Sequence, residues 1–343
     1  MNIAIALSGG VDSSFAAYKL KEDGNHVEAF TFKADNIFNT ERAAYVAEIL
    51  GIKHHIIDIS KEFNNKIIDY FVKSYLKGYT PNPCAVCNRI IKSDIFINKI
   101  IKYRRFDYYA SGHYVKKGEY KNTLVLKEHS DKLKSQTYFL SLINKDSLNH
   151  LLFPLADYDK NSVKKIMLSE FSEIFNREKE SFEICFIKDV KYYNFIRRKI
   201  KEKGRKGIFK NEKGEILGNH SGFYKYTIGQ RRGLRIARGE RIYVYDTDPI
   251  HNIVFVGKEE NLYKDYFFIK NPNWFYPPSE NESFLVRTRY NGKLTKVKSI
   301  ENSNNKIRIN LTERIKAITP GQLASFYIED NLIGGGIIDR FSL

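Results

Sequence analysis

Near the start of the chain, Ile3-Ala4-Ile5-Ala6-Leu7-Ser8-Gly9-Gly10-Val11-Asp12-Ser13-Ser14 joins an apolar run to a helical pattern through two glycines. Ile3 to Leu7 reads as a short buried strand, and from Ser14 to Leu20 residues Phe15, Ala16, Tyr18 and Leu20 can face a core. The glycine pair lets the backbone close on a ligand, and the helix start presents unpaired N–H groups to an anion. The hydroxyls of Ser8, Ser13 and Ser14 add donors. Asp12 suits a phosphate site only if it holds Mg2+ or caps the helix. No Gly-Lys-Ser/Thr closes the loop, so it predicts a pyrophosphate-binding turn and not a Walker loop. A serine-capped strand–turn–helix is the plainer alternative, and the density of glycines and hydroxyls argues against it.

Outward from the loop, strand and helix signals alternate. Val27 to Phe32 reads as a strand, Ala43 to Leu50 as a helix ended by Gly51, and Lys53 to Ile59 as a strand. Lys61 to Leu76 is amphipathic, and Asp107 to Ala110 is a further short strand. This alternation predicts an α/β fold with a parallel sheet covered on both faces, binding ligands at the C-terminal strand ends. From about Lys206 the texture changes: glycines recur at 207, 214, 218, 222, 229, 233 and 239 around Arg241 to Tyr245 and Ile253 to Val256. A second β-rich block, Tyr266 to Leu343, carries Phe284 to Tyr290, Lys306 to Leu311, Ala324 to Ile328 and Ile333 to Ile338. The expected layout is an α/β domain over 1–204, a small β-rich domain over 205–260 and a barrel-like domain over 261–343.

The 343 residues carry 57 Lys and Arg against 40 Asp and Glu, a formal charge of +17. That balance, with arginine pairs at Arg104-Arg105, Arg197-Arg198 and Arg231-Arg232, points to a polyanion such as nucleic acid. Lysines spread over ordinary solvated faces are the competing reading. The first apolar run stops at Ser8, unlike a signal peptide, and no run nears the ~18 apolar residues of a membrane helix. Three cysteines, an odd number, argue against a disulfide framework and for a reducing, cytoplasmic setting.

Two of these cysteines form a C-x-x-C in Thr80-Pro81-Asn82-Pro83-Cys84-Ala85-Val86-Cys87-Asn88-Arg89. Its prolines make a stiff, non-helical approach to a helix expected to start near Asn88. A thiol at a helix start beside arginine should have a lowered pKa and serve as nucleophile or metal ligand. Zinc would want a second cysteine pair, which the chain lacks. Cys185 lies in the apolar, strand-like Ser181-Phe182-Glu183-Ile184-Cys185-Phe186-Ile187, where a buried inert thiol is the plain alternative.

The loop SGGVDS resembles that of the PP-loop ATP pyrophosphatase superfamily, which cleaves ATP between its α and β phosphates and leaves AMP on an oxygen. It is followed in order by TPNPxxxCNRxIK (80–92), SGHY (111–114), KSQTYFL (134–140), FPL (153–155) and ICFI (184–187). YTIGQRRGL (226–234), RTRY (287–290) and ITPGQ (318–322) complete the series. Over essentially its whole length the chain resembles the bacterial tRNA-specific 2-thiouridylase family. The resemblance implies an adenine nucleotide alpha hydrolase-like domain with two β-rich domains. It also implies a cytoplasmic sulfurtransferase that uses ATP with Mg2+, acts on wobble uridine in tRNA and receives sulfur from a desulfurase or sulfur carrier, with no membrane partner.

Position by position, the resemblance gives ATP contacts to Ala6, Leu7, Ser8, Gly9, Gly10, Val11, Asp12, Ser13, Phe32 and Gly112. Cys87 would be the assisting nucleophile, and Cys185 would carry the persulfide. Asn82, Pro83 and Cys84 match the target-base segment, and His113, Lys134, Ser135, Gln136, Arg289, Tyr290 and Gln322 match tRNA-contacting positions. Three departures stand out. Cys84 replaces a family Asp, Phe32 replaces a Met, and the segment between Lys33 and Ala43 is short and lacks the customary acidic, cysteine-rich stretch. Two sulfur chemistries therefore stay open: a persulfide relay through Cys185 and Cys87, or a [4Fe–4S] cluster on Cys84, Cys87 and Cys185. The competing functions are a PP-loop adenylating synthetase for a small molecule and a non-enzymatic tRNA-binding protein.

Overall fold

In a computed structural model of the chain, the first apolar run becomes strand β1 (Asn2–Ala6), the centre of a five-stranded parallel sheet. The structure describes residues 1–35, 37–101, 105–132, 134–175, 184–188, 190–201, 204–236, 240–279, 281–303 and 306–341. Arg104, Ser181, Phe182, Glu183 and Gly239 lie outside the described residues. β1 pairs with β2 (His26–Lys33) on one side and β4 (Tyr108–Ala110) on the other. β3 (Lys53–Asp58) lies beyond β2, and Leu151–Leu152 lies beyond β4. β1 is apolar throughout because both of its faces are covered. Ile3 and Ile5 meet Phe15, Ala16 and Leu20 of α1 (Val11–Glu22) and Val46 of α2 (Thr40–Ile49). Ala4 turns to the opposite core with Phe30, Phe63, Phe71, Ile91 and Phe96.

The β-rich half forms two further sheets. Gly207–Lys210, Ile216–His220, Tyr243–Asp248 and Ile253–Gly257 make a four-stranded sheet. Tyr263–Trp274, Leu285–Arg287, Thr295–Ser303, Lys306–Lys316, Leu323–Ile328 and Asn331–Asp339 close into a barrel, because Tyr263–Trp274 pairs with both Lys306–Lys316 and Asn331–Asp339. Closure removes the free edges of an antiparallel sheet. Phe267, Ile269, Val286, Ile309, Phe326 and Ile333 fill this barrel.

Several local expectations change. A hairpin, Lys116–Tyr120 and Thr123–Lys127, leaves the α/β part and extends the barrel sheet through Leu126 opposite Leu332. Its turn residues Lys121 and Asn122 both have positive φ, as a two-residue hairpin turn requires. The helix expected from Asn88 starts instead at Pro83, since proline is well suited to the first helical turn. The helical stretch Ser60 to Leu76 contains a π-helical turn, Asn64–Ile68. Cys185 sits in a turn and not a strand, with the Ile187 N–H donating to the Ile184 carbonyl at 2.8 Å. Among the described residues no helix is long and apolar enough to cross a membrane.

Candidate active site

The glycine loop forms at the C-terminal end of β1. Gly9 has φ +78°, and a Cβ there would lie 3.0 Å from the Ala43 nitrogen, so backbone and packing both favour glycine. Gly10 precedes α1 without any side-chain cap, leaving the first-turn N–H groups open to an anion. Ser13 Oγ donates to the Gly10 carbonyl at 3.0 Å and accepts from the Ser8 N–H at 3.2 Å, which holds the loop in shape. Ser14 is fully buried, and its hydroxyl faces the interior and not the loop opening.

Asp12 does not cap the helix. Its carboxylate accepts from Lys160 Nζ at 2.6 Å on both oxygens and from Tyr114 Oη at 2.8 Å. Lys160 opens the helix Lys160–Glu170, whose N-cap is Asp159, and its partly buried ammonium lies over the Tyr114 ring. A cation therefore stands beside the loop without belonging to it. Gly112 presses on the same loop: a Cβ there would lie 2.8 Å from Asp12 C and from Ser13 N. Phe32 is half-buried and meets Phe96 edge-on at 5.3 Å.

The cysteines come from separate parts of the chain. Asn82 Oδ1 accepts from the Ala85 N–H at 3.1 Å and caps the helix Pro83–Cys87, placing Cys84 and Cys87 one turn apart. A π-helical segment, Asn88–Ile95, comes next and carries Lys92. The Cys185 turn arrives by packing: Phe186 meets Phe63 at 6.0 Å and Phe71 at 5.3 Å, in the core that also holds Val86 and Cys87. The three thiols are near enough to influence one another electrostatically.

The expected lowering of the thiol pKa values is not what the fold produces. Burial pushes Cys87 up to about 12 and Cys185 up to about 11, and it also raises Cys84. Solvent reaches Cys84 and Cys185, yet the crowded walls around them still disfavour the thiolate. The cation opposing this at all three thiols is Lys92 and not Arg89. Iodoacetamide alkylation of Cys87 and Cys185 in the free protein should therefore keep rising with pH beyond about 9, the ordinary thiol range. A plateau near pH 7 for either residue, mapped by peptide mass spectrometry, would contradict this.

Among the described residues no group of three or more His, Cys, Asp or Glu side chains is arranged to hold a metal ion. This arrangement gives no support to the [4Fe–4S] alternative on Cys84, Cys87 and Cys185. A small cavity lies between the C-terminal ends of β1 and β4 and the π-helical segment that follows the cysteine helix, bordered by Ala6, Asn88, Lys92, Ser111 and His113 and backed by Phe153. His113 Nδ1 is 2.8 Å from Ser111 Oγ, and burial with Lys92 nearby holds the imidazole well below its usual pKa, hence neutral. Lys92 supplies the positive charge at this cavity wall.

The remaining candidates divide into groups that hold structure and groups that face out. Ser135 is buried and bonds within its own turn, and Gln136 Oε1 accepts from the Tyr114 N–H at 3.0 Å. Arg289 Nη2 donates to the Ala317 carbonyl at 2.7 Å, and Tyr290 packs 4.7 Å from Phe139. Gln322 Nε2 donates to the Thr80 carbonyl at 2.8 Å, while Pro83 is buried in its helix. Lys134 is half-buried beside Ser135, whereas Arg231 and Arg232 are exposed in a turn. Sequence reading missed Lys92 and Lys160: the first matches the lysine of CNRxIK, and nothing local marks the second.

Family models match the chain in three consecutive segments. The tRNA methyl transferase HUP domain model matches residues 1–189, the tRNA methyl transferase PRC-barrel domain 193–258, and the aminomethyltransferase beta-barrel domain 264–338. The tRNA-specific 2-thiouridylase MnmA of Aquifex aeolicus is 37% identical over 356 residues, covering 99% of each chain. A tRNA-specific 2-thiouridylase MnmA 2 of Clostridium botulinum is 39% identical over 351 residues, covering 98% of each. Among solved structures, a predicted subunit of tRNA methyltransferase from Methanocaldococcus jannaschii aligns with 59% of this chain and 87% of its own, at 19% identity and TM-score 0.34.

Proposed function

The chain belongs to the tRNA-specific 2-thiouridylase family, and we propose that it converts wobble uridine in tRNA to 2-thiouridine at the expense of ATP. The observation that carries this reading is that two distant segments bring Cys87 and Cys185 to one core, near enough to influence one another, in the domain that opens on the uncapped glycine loop. Ser8 to Ser13 receive the phosphates at the start of α1, with Ala6, Leu7, Phe32 and Gly112 around the nucleotide. Asp12 is the residue that would hold Mg2+, which supplies charge to the leaving pyrophosphate, and Lys160 stands ready to do the same.

A uracil C2 carbonyl is a poor electrophile. Attack of its oxygen on the α-phosphorus of ATP releases pyrophosphate and turns that oxygen into part of a good leaving group, AMP. The terminal sulfur of a Cys185 persulfide then attacks C2 and expels AMP, leaving a Cys185–S–S–C2 linkage. The Cys87 thiol gives up its proton as it attacks the Cys185 sulfur, forming the Cys87–Cys185 disulfide and freeing the thiolated base, which takes up that proton. An external dithiol reduces that disulfide, and a sulfur-donor protein recharges Cys185. The target base has to leave its stack to reach the thiols, near which the Lys92 ammonium stands with the neutral His113 beyond it.

In this reading the α/β domain (1–204) performs the chemistry and the β-rich domains (205–260 and 261–343) help to grip the RNA. The formal charge of +17 supports such a partner. Affinity for tRNA should fall by about 10³-fold or more between 50 and 200 mM salt if about six phosphates are contacted. Charge reversal at Arg231 and Arg232 should weaken binding and flatten that slope; an unchanged slope in a filter-binding titration would move the RNA surface elsewhere. The deciding assay combines protein, ATP, persulfide donor and unmodified tRNA. It should yield one AMP per 2-thiouridine. Adenylation of a small molecule without tRNA would favour the synthetase reading, and tRNA binding without turnover would favour a plain binding protein.

A further inference from the structure

The segment that leads into the cysteine helix is held by the far end of the chain. The Thr80 N–H donates to the Pro320 carbonyl at 2.8 Å, and the Thr80 carbonyl accepts from Gln322 Nε2 at 2.8 Å. Between these two bonds sits Gly321, with φ +93°, where a Cβ would lie 2.8 Å from the Thr80 oxygen. One residue back, Tyr79 Oη donates to Asp339 Oδ1 at 2.6 Å, and Lys270 and Lys306 pair with the other oxygen of that carboxylate. Arg340 donates to the Gly78 carbonyl at 3.2 Å and to the Lys77 carbonyl at 3.4 Å. Its second nitrogen reaches the Thr247 carbonyl and Asp246, in a strand of the four-stranded sheet. Gly78, at φ +77°, has no room for a side chain beside that guanidinium.

Four consecutive residues, Lys77 to Thr80, are thus fixed by Gln322, Asp339 and Arg340. The next three residues are stiff: Pro81 and Pro83 have restricted φ, and Asn82 between them caps the helix that carries Cys84 and Cys87. A displacement at Thr80 has few soft torsions in which to dissipate before it reaches the thiols. We propose that the end of the barrel is a positioning device for the cysteine helix, in which Tyr79, Asp339 and Arg340 set the placement of Cys84 and Cys87 without touching substrate. Its effect on the thiolation rate rests on the thiouridylase reading; the placement itself does not.

Tyr79→Phe keeps the ring and deletes the bond to Asp339. Arg340→Met keeps the stem and deletes the joint, while Arg340→Lys restores the charge alone. In the full-length protein, amide exchange over residues 77–87 should quicken by about threefold to tenfold in Tyr79→Phe, and more in Arg340→Met. Alkylation of Cys84 and Cys87 should change by a similar factor relative to Cys185, with Arg340→Lys intermediate. The kcat for thiolation should fall by about tenfold or more, while KM for ATP and tRNA affinity stay within about twofold. Unaltered exchange at 77–87 overturns the proposal. So does faster exchange with unchanged reactivity of both helix thiols, which would mean that the contact only fastens the barrel. If exchange and alkylation respond but the wild-type protein makes no 2-thiouridine, the functional reading fails and the positioning stands.

Discussion

Cys185→Ser is expected to abolish 2-thiouridine formation, by about 10³-fold or more, with ATP and tRNA binding retained. A serine oxygen cannot carry the sulfane sulfur, so nothing attacks the activated C2. Cys87→Ser should be equally inactive over many turnovers and fail at a later point. Its Cys185–S–S–C2 linkage has no internal thiol to open it once Cys87 is gone, so a protein–tRNA adduct releasable by dithiothreitol should accumulate in a single turnover. Cys84→Ser should retain activity within about tenfold of wild type. It deletes a thiol that the relay does not use, on the more exposed side of a helix whose cap and packing do not involve that sulfur. Nucleoside mass spectrometry and a non-reducing gel distinguish these outcomes, and iron content measured after anaerobic purification tests the cluster. Iron that disappears together with activity in Cys84→Ser would overturn the relay, as would an active Cys185→Ser.

The parts of this site legible in the sequence are those whose cause is local. Ile3 to Leu7 announces a strand covered on both faces, and Gly9 and Gly10 announce a turn that only small residues permit. Tertiary effects escaped. The Lys116–Lys127 hairpin carries charged or polar residues on both faces of its first strand, so period-two patterning does not reveal it. Its hydrophobic partner, Leu332, lies more than two hundred residues away. Pro81 and Pro83 read as helix breakers, yet Asn82 supplies a cap and Pro83 starts the helix. Lys92 sits five residues after Cys87, a spacing that a 3.6-residue period does not bring round and a π-helical turn does. The thiol pKa values lie above the ordinary range, where the neighbouring arginine predicts a lowering, because the packed core desolvates the thiolate.

Gly112→Ala is expected to lower kcat/KM for ATP by about 10²-fold while leaving tRNA affinity within a few-fold. The cause is steric and involves only backbone. The added methyl would lie 2.8 Å from Asp12 C, 2.8 Å from Ser13 N and 2.9 Å from the Asp12 oxygen. No flexible side chain is there to swing aside, so either the loop or the Ser111–Tyr114 segment has to retreat. Retreat of the loop moves the Ser13 N–H and Oγ away from the phosphate position and disturbs the bonds between Ser13, Ser8 and Gly10. Retreat of the other segment draws Tyr114 off Asp12 and loosens the carboxylate that Lys160 also grips. Both responses damage the nucleotide site, at a stability cost of about 1–3 kcal/mol for overpacking. Gly24→Ala is the matched control. Gly24 has φ +77° and nothing within 4 Å of an added Cβ, so that variant is strained but crowds nothing. It should lose about 1 kcal/mol of stability with ATP kinetics unchanged. If Gly112→Ala proves as benign towards ATP as Gly24→Ala, the Ser111–Tyr114 segment does not press on the loop and Ser13 is not a phosphate donor.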